Sequence, residues 1–277
     1  MKQIHGIFAV TVTHFQENGE IDYAACAKHI NWLIESGVHG LLPLGATGEF
    51  SALTLEERKA FAEFAMKEVA GRVPVIIGAV STNVDVTLEV AKHAASIGAD
   101  GVMILPPPGL HPSQDEIYAF YKHISENVTL PVMIYNNPGS SGVNILPETL
   151  DKIADLPHMG FLKESTGDIM RLTRAVDGLA DRLVIFCGCE SLAYGSFVMG
   201  AKAWVCVLAN VAPAQSARLY DLIVNQGKLE EARALYRQIL PLLRLTEETG
   251  ELWQIVKYIL KQRGFGTGTL RLPRQPI

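Results

Sequence analysis

A lysine, a tyrosine and a glycine-rich turn carry the chemistry for which this chain can be read. Lys163 ends the short apolar run Gly160-Phe161-Leu162. A lysine at the inner end of a buried strand is costly unless its amine is used, because the ammonium loses its hydration there. The same burial is expected to lower its pKa and so make a neutral, nucleophilic amine. An unperturbed lysine, with a pKa of about 10.4, is neutral in roughly one molecule in a thousand near pH 7. Lowering that value to about 7–8 frees a large fraction of the amine. Such lysines attack carbonyl carbons and form Schiff bases. The alternative use is a structural ion pair, with the adjacent Glu164 as partner.

Other groups fall at comparable places. Tyr135-Asn136-Asn137-Pro138-Gly139 ends an earlier apolar run, and its phenol is either a core tyrosine or a general acid/base beside the lysine. Gly45-Ala46-Thr47-Gly48-Glu49 is either a plain tight turn or a cradle whose N–H groups and Thr47 hydroxyl hold a carboxylate. It is not a Walker loop, and no basic residue accompanies it, so a phosphate fits less well. Ser165 follows the lysine by two positions. Glu190 is either a carboxylate favoured at a helix N-terminus or an acceptor for a substrate hydroxyl.

The elements that must position these groups recur along the chain. Strand-like apolar runs occupy 7–13, 39–44, 74–79, 101–105, 131–135, 160–163, 183–187 and 203–208. They do not alternate in polarity, as expected when both faces of a strand are covered. Helical stretches lie between them. Thr54-Leu55-Glu56-Glu57 and Ser113-Gln114-Asp115-Glu116 carry the capping-box pattern, and Gly37, Gly71 and Gly98 fall where helices should stop. Eight strand-helix units predict an α/β fold of the (β/α)8 or TIM barrel type, with chemistry at the carboxyl ends of the strands. The competing open doubly wound sheet lacks its GxGxxG fingerprint here. We therefore expect a catalytic barrel over 1–226. A small C-terminal helical extension over 227–277 should follow, with two amphipathic helices and an irregular end.

Composition narrows the classes further. The chain has 277 residues, 48% hydrophobic and 19% charged, with a formal charge of −5. That size suits a one-domain barrel. No basic run offers a face to nucleic acid, and no apolar stretch approaches the roughly 18 residues of a membrane span. The first residues read as a strand and not as a signal peptide. Cys26, Cys187, Cys189 and Cys206 have neither disulfide-framework nor zinc-site spacing, so buried thiols in a reducing, cytoplasmic setting are expected.

Taken together, Gly45-x-Thr47-Gly48-Glu49, Tyr135-Asn136-x-Pro138-x-x-x-Gly142 and Lys163-Glu164-x-x-Gly167-Asp168 resemble the motifs of one family. It is that of dihydrodipicolinate synthase and N-acetylneuraminate lyase, the pyruvate-type class I aldolases, and the likeness spans about residues 4 to 263. The resemblance implies that Lys163 is the Schiff-base lysine and Tyr135 the proton-shuttling tyrosine. It implies that Thr47, with the N–H groups of the Gly45–Ala46 turn, holds the 2-oxo acid carboxylate. It also implies that the Val205 carbonyl lines the same pocket. A homotetramer built as a dimer of dimers is the corresponding expectation, with no metal or dissociable cofactor, since the imine serves as electrophile.

The chain also departs from that pattern. The lysine-biosynthesis enzyme has a hydroxyl residue where Ala46 stands, linking its shuttle tyrosine to a second tyrosine from a neighbouring subunit. The loop that would supply that tyrosine reads Leu105-Pro106-Pro107-Pro108-Gly109 here. Its substrate-gripping arginine is replaced by Ser140, and the acidic pair of the sialic-acid lyase is reduced to Glu190 followed by Ser191.

The expected function is a Schiff-base lyase acting on a small 2-oxo acid or a related cyclic imine, breaking a C–C, C–O or C–N bond. Aldolases or dehydratases of deoxy-keto sugar acids and a deaminase of hydroxylated pyrroline carboxylate are candidates. Condensation of pyruvate with aspartate semialdehyde, the 4-hydroxy-tetrahydrodipicolinate synthase reaction, is the alternative. From other classes, a non-catalytic 2-oxo-acid-binding paralogue and a phosphate-binding barrel isomerase stay open.

Overall fold

The computed structural model describes residues 4–277. Eight parallel strands are joined in one sheet: β1 (Gly6–Ala9), β2 (Gly40–Leu41), β3 (Ile76–Gly78), β4 (Gly101–Ile104), β5 (Val132–Asn136), β6 (Met159–Glu164), β7 (Val184–Cys187) and β8 (Ala203–Cys206). Neighbours run β2-β1-β8-β7-β6-β5-β4-β3. The sheet closes on itself where Leu41 bridges Val75, with the Leu41 and Gly78 amides donating to the Pro74 and Pro43 carbonyls. Gly78 permits that closure, since a Cβ there would lie 2.0 Å from the Leu44 carbonyl oxygen. The fold is a (β/α)8 barrel, as the spacing predicts.

Each observed strand falls within or next to an expected run, and the differences have local causes. The second ladder is cut short because Pro43 has no N–H to give and Leu44 turns to φ 61. The eighth stops at Cys206 and tightens into the turn Leu208–Asn210, because the Val207 and Leu208 amides are captured by the Glu190 carboxylate. The first run leaves its ladder after Ala9 but stays buried. There Asn210 accepts from the Val12 amide and donates to the Val10 carbonyl.

The helices are α1 (Tyr23–Glu35), α2 (Leu55–Val69), α3 (Val84–Ser96), α4 (Gln114–Asn127), α5 (Pro138–Ser141), α6 (Pro147–Ala154), α7 (Ile169–Leu179), α8 (Ala193–Val198), α9 (Pro213–Tyr220), α10 (Leu229–Glu248) and α11 (Leu252–Gln262). Both capping boxes form, Thr54 with Glu57 and Ser113 with Glu116. Gly37, Gly71 and Gly98 take positive φ just past three helix ends, where a Cβ would be strained. Inside the barrel Phe8, Phe161 and Phe186 meet edge-to-face, the Phe186 ring lying 5.3 Å from Phe8 and 6.0 Å from Phe161.

The last residues have neither helix nor strand, yet they are tied down. Phe265 and Leu270 are buried, the Thr267 hydroxyl donates to the Phe15 carbonyl, and Arg271 pairs with Glu57. This segment and α11 lie against the loop after β2, at the mouth of the barrel. Among the described residues no helix is long and apolar enough to cross a membrane.

Candidate active site

Pairing between β5 and β6 sets Tyr135 directly opposite Lys163. Strand alternation then separates Lys163 from its sequence neighbour. Glu164 accepts from Asn136 Nδ2 at 2.9 Å and the Thr166 amide at 2.8 Å, and it lies 3.6 Å from Arg171. Lys163 has no ion pair among the described residues, so the Lys163–Glu164 alternative is not what forms. The lysine is 7% exposed, and its Nζ sits over the face of the Tyr135 ring, 4.0 Å from the centroid. Both residues line a cavity of about 230 Å³ at the carboxyl ends of the strands.

Thr47, Ala46, Ser165, Val205 and Glu190 line the same cavity. Gly45 stands behind the lining and shapes it: its carbonyl accepts from the Gly48 amide, and a Cβ on it would lie 2.6 Å from Val10 Cγ2. The turn is pinned from several sides. The Gly48 carbonyl accepts from the Thr13 hydroxyl at 2.8 Å, and the Ala46 carbonyl from Trp253 Nε1 at 2.8 Å. No described residue bonds the amides of Ala46 and Thr47 or the Thr47 hydroxyl. Those three groups are unpaired donors belonging to residues that line the cavity with Lys163.

The remaining lining residues differ in what they can do. Ser165 Oγ is buried without a partner and lies against Gly188, where a Cβ would approach it to 1.8 Å. Val205 is buried in β8, in register with Phe8. Glu190 is already occupied: one oxygen accepts from Val207 N at 2.8 Å and Trp204 Nε1 at 3.2 Å, the other from Leu208 N at 2.8 Å. Burial pushes its carboxyl up to about 7, against the opposing pull of those donors. Its position organises the end of β8. Cys187 and Cys206 are buried free thiols, and Cys189 is half-buried. Desolvation raises the Cys189 thiol to about 12, so it stays protonated.

Among the other residues that line the cavity are Asn137, Glu247 and Trp253, to which the sequence reading gives no role. Asn137 donates from Nδ2 to the Tyr135 phenol oxygen at 2.7 Å. Its place just before Pro138 marks it as a helix N-cap, the only sequence signal it carries. Glu247, near the end of α10, accepts from the amides of Glu190 and Ser191. Trp253, in the first turn of α11, also lines the cavity. Beyond Ala46, Tyr135 and Ser140 lies a second chamber of about 480 Å³. Arg58 and Arg274 line it, the latter stacked 3.7 Å from the Trp253 ring. Two guanidinium groups therefore share a chamber with Ser140, although Ser140 itself offers no fork.

Residues 3–277 match the Dihydrodipicolinate synthetase family. A 4-hydroxy-tetrahydrodipicolinate synthase of Kosmotoga olearia is 36% identical over 272 residues, covering 97% of this chain and 91% of that one. Among solved structures, a putative dihydrodipicolinate synthetase from Pseudomonas aeruginosa superposes with a TM-score of 0.95 at 37% identity, covering 99% of this chain and 94% of that one. The prophage protein YagE of Escherichia coli K12, solved in complex with pyruvate, gives a TM-score of 0.94 at 28% identity, covering 99% and 93%. Fold and kinship together define the class, a Schiff-base-forming lyase of the class I aldolase type. The chain belongs to the dihydrodipicolinate synthetase family.

Proposed function

We propose that Lys163 forms the Schiff base with a small 2-oxo acid, and that Tyr135 moves protons for it. The observation that carries this reading is the register pairing of the two residues, with the amine held against the phenol ring in one cavity. The lysine nitrogen attacks C2 of the keto acid, and the resulting carbinolamine loses water to give the imine. In C–C cleavage that imine takes up the pair of the broken bond as an enamine. In C–O or C–N cleavage it first takes the pair of a C3–H bond, and the enamine expels the oxygen or nitrogen with its own electrons. The turn Gly45–Thr47 holds the carboxylate through the unbonded Ala46 and Thr47 amides and the Thr47 hydroxyl. Ser165 and the Val205 backbone complete the pocket wall. Glu190 fixes the β8 end through three hydrogen bonds and keeps one acceptor site, on Oε2, for a substrate hydroxyl.

This reading treats residues 1–226 as the catalytic barrel and 227–277 as an extension covering its mouth. A homotetramer and a cytoplasmic location go with it. Incubation with pyruvate and borohydride should leave a reduced adduct on Lys163, located by peptide mass, and none in Lys163→Ala. An unlabelled native protein would favour a binding paralogue, and turnover that persists in Lys163→Ala would overturn the assignment of the lysine.

A second reading, condensation of pyruvate with aspartate semialdehyde, is favoured by the name of the 36% identical relative and by the guanidinium-lined chamber beside Tyr135. Ala46 and Ser140 stand against it. Robust product formation from those two substrates would put it first, ahead of dehydration and deamination of hydroxylated 2-oxo acids.

A further inference from the structure

We propose that Asn137 is the positioning residue of the tyrosine, holding the phenol oxygen as an acceptor so that its proton is offered to the substrate. The proposal rests on the Schiff-base reading above. Ala46, in the same cavity lining as Tyr135, has only a methyl side chain. The hydrogen bond that the described residues give to the Tyr135 oxygen comes instead from Asn137 Nδ2, at 2.7 Å. An amide nitrogen can only donate. The phenol oxygen must accept from it, and its own O–H is left to turn toward the cavity that holds Lys163.

The orientation of the Asn137 amide is set by its second bond. Asn137 caps α5, its Oδ1 accepting from the Ser140 amide at 3.2 Å, while its carbonyl accepts from the Ser141 amide at 3.0 Å. Turning the side-chain amide over would set Nδ2 against the Ser140 N–H, donor against donor. One residue thus serves as cap and as phenol donor, and the cap dictates which end meets the tyrosine. A donor so placed also stabilises the phenolate that appears whenever Tyr135 gives up its proton. The chain supplies this donor from its own β5–α5 turn, three positions before Ser140.

Asn137→Asp separates the two duties. An aspartate caps a helix as well as asparagine does, but it sets a carboxylate against the phenol. The phenol would then donate to it, and its proton would be withheld from the substrate. The probe is pyruvate in D2O, followed by loss of its methyl proton signal. In the imine a C3–H bond breaks, its electron pair forms C2=C3, and the C=N pair moves to nitrogen. Reversal with a deuteron from solvent, and hydrolysis of the imine, release labelled pyruvate.

We expect Asn137→Asp to slow this exchange tenfold or more and to displace its pH profile upward. It should keep the native end-point yield of borohydride adduct on Lys163. In a Tyr135→Phe background the same substitution should change the exchange rate less than twofold, because the bond it alters is gone. Native exchange in Asn137→Asp would overturn the proposal. So would an equal loss with and without the phenol, which is the mark of a purely structural role. Absence of adduct on the native protein would instead overturn the Schiff-base reading, and this inference with it.

Discussion

The Lys257 ammonium of α11 is paired with the Glu49 carboxylate at the end of the Gly45–Gly48 turn, and both side chains are sealed from solvent. Lys257 also donates to the Thr269 carbonyl at 2.8 Å and lies 4.2 Å from the Phe15 ring centroid. Glu49 takes a left-handed backbone conformation, φ 55, and receives the Arg271 amide on its other oxygen. Burial pulls the Lys257 ammonium below the ordinary lysine value, and Glu49 opposes that pull. One buried pair therefore ties the C-terminal segment to the turn that carries Thr47.

Removing one partner of such a pair should be worse than removing both. Lys257→Met leaves Glu49 as an uncompensated buried charge and should cost about 3–5 kcal/mol in urea unfolding. Adding Glu49→Gln should restore a large part of that loss. Because Glu49 ends the turn, the single variant should also need more pyruvate for half-maximal trapping on Lys163. A Lys257→Met protein as stable as the native one, or no recovery in the pair, would remove the anchoring role.

Glu190 should leave a signature in the pH dependence of stability. Burial raises its carboxyl from 4.5 to about 7, so the folded chain keeps a proton that the unfolded chain has already released between those values. Its contribution is present in full below about pH 4.5 and is lost as pH rises through 7. That change is on the order of 2–4 kcal/mol, since a tenfold change in proton affinity is worth about 1.36 kcal/mol. In Glu190→Gln the amide nitrogen faces the Leu208 N–H and cannot accept, whereas a protonated carboxyl still accepts on both oxygens. The variant should be less stable than the native protein at pH 5, and the gap should narrow toward pH 8. Denaturant unfolding of both proteins at the two pH values checks this, and a constant gap would contradict it.

The barrel is legible in the chain because each strand-helix repeat advertises itself locally. Apolar runs, capping boxes at Thr54 and Ser113, and glycines past helix ends all act within a few residues. The strand-end rule then suffices to bring Lys163, Tyr135 and Thr47 together, since position along a strand decides which mouth a residue faces. What stays hidden depends on distant partners. The period of α11 gives its buried face but not the Trp253 contact with Ala46, 207 positions away. The irregular final stretch gives no local hint of the Arg271–Glu57 pair or of Thr269 at Lys257. Glu190 reads as a free carboxylate because its partners lie on another strand, and the Asn137 cap conceals its second bond.

Trp253 is the test of that hidden contribution to the site. Its indole N–H holds the Ala46 carbonyl at 2.8 Å, and its ring carries the Arg274 guanidinium 3.7 Å from the centroid. It borders the Lys163 cavity, the chamber beyond Ala46, and a third space lined by Gly167, Leu192 and Thr246. Trp253→Phe keeps an aromatic wall and loses the bond to the turn, so pyruvate for half-maximal trapping should rise about two- to threefold, as loss of a single hydrogen bond implies. Trp253→Ala also removes the wall, joins the three spaces and lets water reach the imine. It should raise that concentration about tenfold and cost about 1–3 kcal/mol of stability, less than a fully buried tryptophan because the ring is only half-buried. Trapping at native pyruvate concentrations in Trp253→Ala would show that the barrel mouth holds its substrate without the C-terminal cover.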